Sequence, residues 1–207
     1  MGTFHRRMEV GATILLSVSA LGTSWAGYQA SLWSGSQIEL SYDASAIRTR
    51  ATRAATKAGL ERTVDVALFM SWLEAYARHD TVYAEFLEHR FRREFIPAFE
   101  AWMATKPAKT PNAPLTPFAM PQYRLVADDS ALQLDRLADK AADLGVAANR
   151  NGDAYVLDAV LFATAMVFGG AAQQESNRKS MRLILIGLST LMCLVALVRI
   201  ALSPSAL

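Results

Sequence analysis

The chain has 207 residues, about half of them apolar and 19% charged, with a formal net charge of +2. Its one cysteine, Cys193, excludes an intramolecular disulfide. The near balance of charge excludes the basic stripe that nucleic-acid binding requires.

Three apolar stretches, at 10–33, 154–173 and 182–203, approach or exceed the ~20 residues that carry a helix across a bilayer. The first carries no charge between Glu9 and Glu39. It follows His5, Arg6 and Arg7, as a signal peptide would, yet it runs well past a signal core and is expected to stay in the chain. Trp25, Tyr28 and Trp33 suit an aromatic belt at its outer end. Ser19, Thr23, Gly27, Ser31 and Gly35 recur every four residues, and small residues let helices approach closely in lipid. This stripe is the expected helix contact, within the chain or between subunits.

Residues 34–153 hold 15 Lys+Arg and 16 Asp+Glu, so the domain between the first two spans is nearly neutral. The alanine-rich 34–59 segment continues the first span as helix, with Gly59 as its expected end. A second helix is predicted over 61–79. A third, capped by Asp80 and Thr81, runs to about Met103 with Pro97 kinking it. Phe91, Phe95, Phe99 and Trp102 lie along this third helix. They bury against the domain core or, alternatively, form a ridge for a partner. Prolines 107, 111, 114, 117 and 121 make 106–123 an extended strap, which Leu115, Phe118, Met120 and Tyr123 should hold against the helices. From Ala127 a helical pattern returns and runs toward the second span, with Asn151-Gly152 as the candidate for a local break. The expected outcome is a four-helix extramembrane bundle continuous with spans one and two.

The second and third spans form a hairpin over a short connector flanked by Arg178, Lys179 and Arg182. Asp158 and Arg199 lie about equally far from that turn, so they should pair within the membrane. The positive-inside rule places Arg6 and Arg7 and the connector in the cytoplasm, and three spans allow both at once. The 34–153 domain and the C-terminus are then extracytoplasmic.

Chemistry is sparse. Glu85 and His89 share a helix face, but the Glu-x-x-His spacing of dimetal bundles is absent. No nucleophile-and-base set, phosphate loop or zinc spacing stands out, and no metal, catalytic residue or cofactor is expected.

The segments SWAGYQASLWSGSQIELSYDASAIR, FRREFIPAFEAWMA and PNAPLTPFAMPQYRL resemble a family of uncharacterised bacterial three-span membrane proteins. The resemblance implies a bacterial inner-membrane location and carries no assigned activity.

The sequence therefore reads as an all-α integral membrane protein with three parts: 1–33, cytoplasmic N-terminus and first span; 34–153, extracytoplasmic helical domain; 154–207, transmembrane hairpin. The expected role is a non-enzymatic assembly protein, either a homo-oligomer or an accessory subunit, with lipid and membrane proteins as partners. The alternative is a homo-oligomeric channel or transport component.

Overall fold

The computed structural model describes residues 2–174 and 178–206, with the side chains from residue 9 onward. All regular structure among them is helical. α1 spans Gly2–Ala77, α2 Thr81–Glu88, α3 Ile96–Ala104, α4 Val126–Gln174 and α5 Lys179–Leu202, with a 3-10 turn at Pro117–Ala119. α1, α4 and α5 are each long and apolar enough to cross a membrane. Residues 175–177, in the connector read as a tight turn, lie outside the described residues.

α1 passes through Gly59, and α4 passes through Asn151-Gly152. No described glycine has a positive φ. A glycine in helical conformation costs only about 1 kcal/mol against alanine, which many turns of packing outweigh. α1 stops instead at His79. This residue takes φ 59° while its N–H donates to the Tyr76 carbonyl and the Asp80 N–H reaches back to that of Ala75. These are the two bonds of a Schellman cap, with histidine where glycine is usual. Asp80 then caps α2, its carboxylate accepting the Tyr83 N–H at 3.0 Å. Pro97 sits in the first turn of α3, where no N–H is needed, so it starts a helix instead of kinking one. The expected single helix from Thr81 to Met103 is thus two short ones. The 34–153 segment holds parts of the long helices α1 and α4, a short helical pair and a strap.

The chain divides into two compact units, one of Met1–Asp43 with Lys140–Leu207 and one of Ala44–Asp139. In the first, α1 and α4 run antiparallel. A Cβ on Gly152 would lie 3.5 Å from Trp33, one on Gly145 3.6 Å from Leu40, and one on Gly169 3.1 Å from Leu16. The inward residues are mostly small: Ala12, Ser19 and Ala26 of α1, Ala165 and Ala172 of α4, Ser189 and Ala196 of α5. Large apolar side chains point outward, among them Ile14, Leu21, Val160, Val167, Leu191 and Val198. This inverts the order of a water-soluble bundle and is what lipid as solvent permits.

The second unit holds an aromatic core. Phe69 and Trp72 of α1 pack with Leu87, Phe91, Phe95, Phe99 and Trp102, and Phe118 and Tyr123 of the strap close over them. Phe69 meets Phe118 edge-on at 5.6 Å and Trp102 at 5.3 Å. Such geometries add roughly 0.5–1.5 kcal/mol per pair beyond area burial. The strap is therefore an ordered wall of this core.

Candidate functional site

Asp65 is 1% exposed on the inward face of α1, where a lone carboxylate would be costly. Arg92, in the turn before α3, answers it with two parallel bonds, Nε and an Nη each 2.9 Å from a carboxylate oxygen. The Tyr123 hydroxyl donates to the same carboxylate at 3.1 Å. Glu61 and Glu94 lie 3.2 and 3.5 Å from Arg92. Hydrogen bonding and charge from Asp65 raise the Arg92 pKa against its burial. Burial first, then the charge of Asp65, pushes the Tyr123 hydroxyl up to about 12. This network ties α1, the pre-α3 turn and the strap into one body. Asp65 itself is bound on both oxygens.

The same unit holds a groove of ≈ 750 Å³, floored by Trp72, Leu73, Tyr76, Trp102 and Met103 and walled by strap residues 106–111 and 113–115. The Trp72 indole N–H donates to Glu88 at 2.7 Å, and that of Trp102 to the Pro114 carbonyl at 2.7 Å. Both floor indoles are thus satisfied within the protein. Lys106 enters the strap at φ 52°.

Of the two readings of the third-helix aromatic residues, burial against the domain core is the one found. Phe91, Phe95, Phe99 and Trp102 are 7%, 0%, 7% and 5% exposed, so no ridge of these rings reaches the surface. Phe91 and Phe95 belong to the turn between α2 and α3, and they meet each other edge-on at 5.0 Å.

In the first unit, Arg199 Nε donates to Asp158 Oδ1 at 2.5 Å. The Asp158 side chain is fully buried, while that of Arg199 is 38% exposed. Close by in sequence, the Tyr155 hydroxyl donates to the Pro204 carbonyl at 3.2 Å, and the Ala206 N–H donates to Gln29 Oε1 at 2.9 Å. The tail after α5 is thereby fastened to α4 and α1. Gln29 Nε2 and Asp158 Oδ2 are buried with no protein partner.

The small-residue stripe does not act as one contact within the chain. A Cβ on Gly27 or Gly35 would meet nothing within 4 Å, whereas one on Gly22 would sit 2.5 Å from the Phe162 ring. Ser19 is buried, but Gly27, Ser31 and Gly35 are exposed. The reason is angular. Four-residue steps drift ~40° each on a helix of 3.6 residues per turn, so Ser19 and Gly35 stand ~160° apart. Seven-residue steps drift only ~20°. The buried positions follow that spacing, as Ala12, Ser19 and Ala26, and again as Ala44, Ala51, Ala58, Asp65 and Trp72. α4 answers with Ala131, Ala138, Gly145 and Gly152.

Asp65 went unread in the sequence, and the seven-residue spacing is the signal that would have found it, since an acid on the inward heptad face demands a partner. Gln29 and Tyr155 carried no comparable signal, because their partners are backbone groups. Trp25 and Tyr28 point outward and pair at 6.1 Å, while Trp33 packs near Gly152. Among the described residues no group of three or more His, Cys, Asp or Glu is placed to hold a metal. No family model matches the chain, and neither a curated protein nor a solved structure is significantly similar to it.

Proposed function

We propose that this is a membrane-anchored assembly protein without enzymatic activity, working as a homo-oligomer or as the accessory subunit of a larger membrane complex. The observation that carries the reading is the division of labour between the two units. One turns large apolar side chains outward and small ones inward, as an anchor in lipid would. The other spends its buried charge on holding its own segments together, with Asp65 tied to Arg92 and Tyr123. The Lys/Arg bias of the flanks supports a cytoplasmic N-terminus and an extracytoplasmic Ala44–Asp139 unit, in a bacterial inner membrane as the family resemblance implies.

A second copy would find its closest approach to α1 at Gly27, Ser31 and Gly35, which this chain's own helices leave uncovered. A homo-oligomeric channel is the alternative. It has weaker support, because, of the hydroxyls that would line its pore, Ser17, Thr23, Ser24 and Thr190 donate to carbonyls four residues earlier and Ser189 donates to the Ala165 carbonyl.

Native mass measurement and particle images in mild detergent test the reading. A defined oligomer that Gly27→Leu breaks, or a stoichiometric co-purifying partner, supports assembly. A closed ring with an axial opening would return the channel reading. Orientation is tested by labelling single cysteines at positions 110 and 178 in spheroplasts of a Cys193→Ala background. Labelling at 178 but not at 110 overturns the orientation.

A further inference from the structure

The groove beside the strap has a chemical bias. Its floor of Trp72, Leu73, Tyr76, Trp102 and Met103 is mainly hydrocarbon and aromatic surface. The two indole N–H groups that could have read a polar ligand are engaged with Glu88 and Pro114. The proline wall, at Pro107, Pro111 and Pro114, has no N–H to offer. A peptide laid here would leave most of its backbone groups facing apolar surface without partners, at a desolvation cost. A hydrocarbon chain has no such requirement.

The charge in the groove is of one sign. Lys106 and Lys109, with Thr110 next to them, line it, and no carboxylate does. Both lysines are exposed, so their ammonium groups are free to meet a head group at the mouth. The volume of ≈ 750 Å³ falls within the ~300–1,000 Å³ of small-ligand sites. We infer that this groove binds a single-chain amphiphile with an anionic head, its acyl chain along Leu73, Tyr76 and Met103 of the floor and its carboxylate or phosphate between Lys106 and Lys109. The inference goes beyond the assembly reading and is independent of oligomeric state.

The test uses the full chain in phosphatidylcholine nanodiscs with dodecanoate bearing a photoreactive diazirine at its chain end, followed by peptide mapping. Labels are expected on peptides carrying residues 72–76 and 102–115. Dodecanoate and dodecyl phosphate should compete, the better of the two identifying the head, and dodecyltrimethylammonium should not. Two fewer methylenes should weaken competition about tenfold. The exposed pair Lys106→Glu with Lys109→Glu should weaken it by about tenfold more and remove the preference for anions. Labels confined to the three spans, equal competition by the cationic amphiphile, or stronger competition by an acidic apolar peptide would each overturn the assignment. Displacement by head group requires no mutation, so the outcome does not hang on the variant folding.

Discussion

Gly22 and Gly27 lie on the same helix five residues apart, and adding one methyl group to each should have opposite results. A Cβ on Gly22 would meet three atoms of the Phe162 ring at 2.5–2.7 Å, where ordinary contact begins near 3.4 Å. The ring would have to withdraw by about 1 Å, yet Phe162 is fully buried in a cluster with Ala165, Cys193 and Ala196. Overpacking of this kind costs about 1–3 kcal/mol. Within a single chain a Cβ on Gly27 meets nothing, so the two variants are compared as dissociated monomers in detergent. Both changes gain the same helix propensity, about 1 kcal/mol, so it cancels when the two variants are compared. Gly22→Ala should therefore melt below Gly27→Ala by roughly 2–12 °C in detergent, at about 2–4 °C per kcal/mol for a chain of this size. Trimming the obstruction with Phe162→Leu should restore much of the loss in the Gly22→Ala background, a non-additivity expected of touching residues. Equal melting of the two alanine variants would falsify the packing of α1 on α4 described here.

Removing one partner of the Asp158–Arg199 pair should be asymmetric. Arg199→Gln strands a fully buried carboxylate and should cost about 3–5 kcal/mol. Asp158→Asn leaves a partly exposed guanidinium free to turn outward, and the double variant should be milder than Arg199→Gln; purely additive losses in detergent unfolding would refute the pairing. Tyr123 titrates at about 12 when folded and near 10 when unfolded, so its contribution is whole below pH 10 and is lost as pH rises toward 12. Tyr123→Phe should cost about 1–2 kcal/mol at neutral pH and lose less stability than the parent across that window, read by pH-dependent melting. His79→Gly should hold or raise the melting temperature, because glycine takes the left-handed cap without strain, while His79→Val should cost about 1–2 kcal/mol. Rapid protease cleavage between Lys106 and Arg124 in the folded protein would contradict the strap's place over the aromatic core.

The helices were legible because proline and charge patterning leave long uninterrupted tracts, and the strap was legible because no helix tolerates prolines at 107, 111, 114 and 117. The breaks were harder to read. Gly59 and Gly152 look like punctuation in a sequence, yet both stay helical, and the residues that adopt a positive φ are His79 after α1 and Lys106 after α3. The aromatic residues between Phe91 and Trp102 showed that a core exists, but their spacing could not separate a helix from a turn feeding one. Four-residue spacing drew the eye to Gly27, while the contact face followed seven. The groove had no signature in the sequence, because it depends on where the strap folds back, which the bond from the Trp102 indole to the Pro114 carbonyl helps to fix.

The seven-residue spacing also gives this architecture a natural increment for changing length. Deleting one residue near Ala51 would turn everything beyond it by about 100°, carrying Asp65 and Trp72 off the inward face. Deleting seven from that stretch of α1 and seven from the Ala131–Ala138 stretch of α4 would return each helix almost to its own register. Related chains of different length should therefore differ by matched heptads in these two segments, and a size change in only one of them should mark a chain whose aromatic unit has been rebuilt.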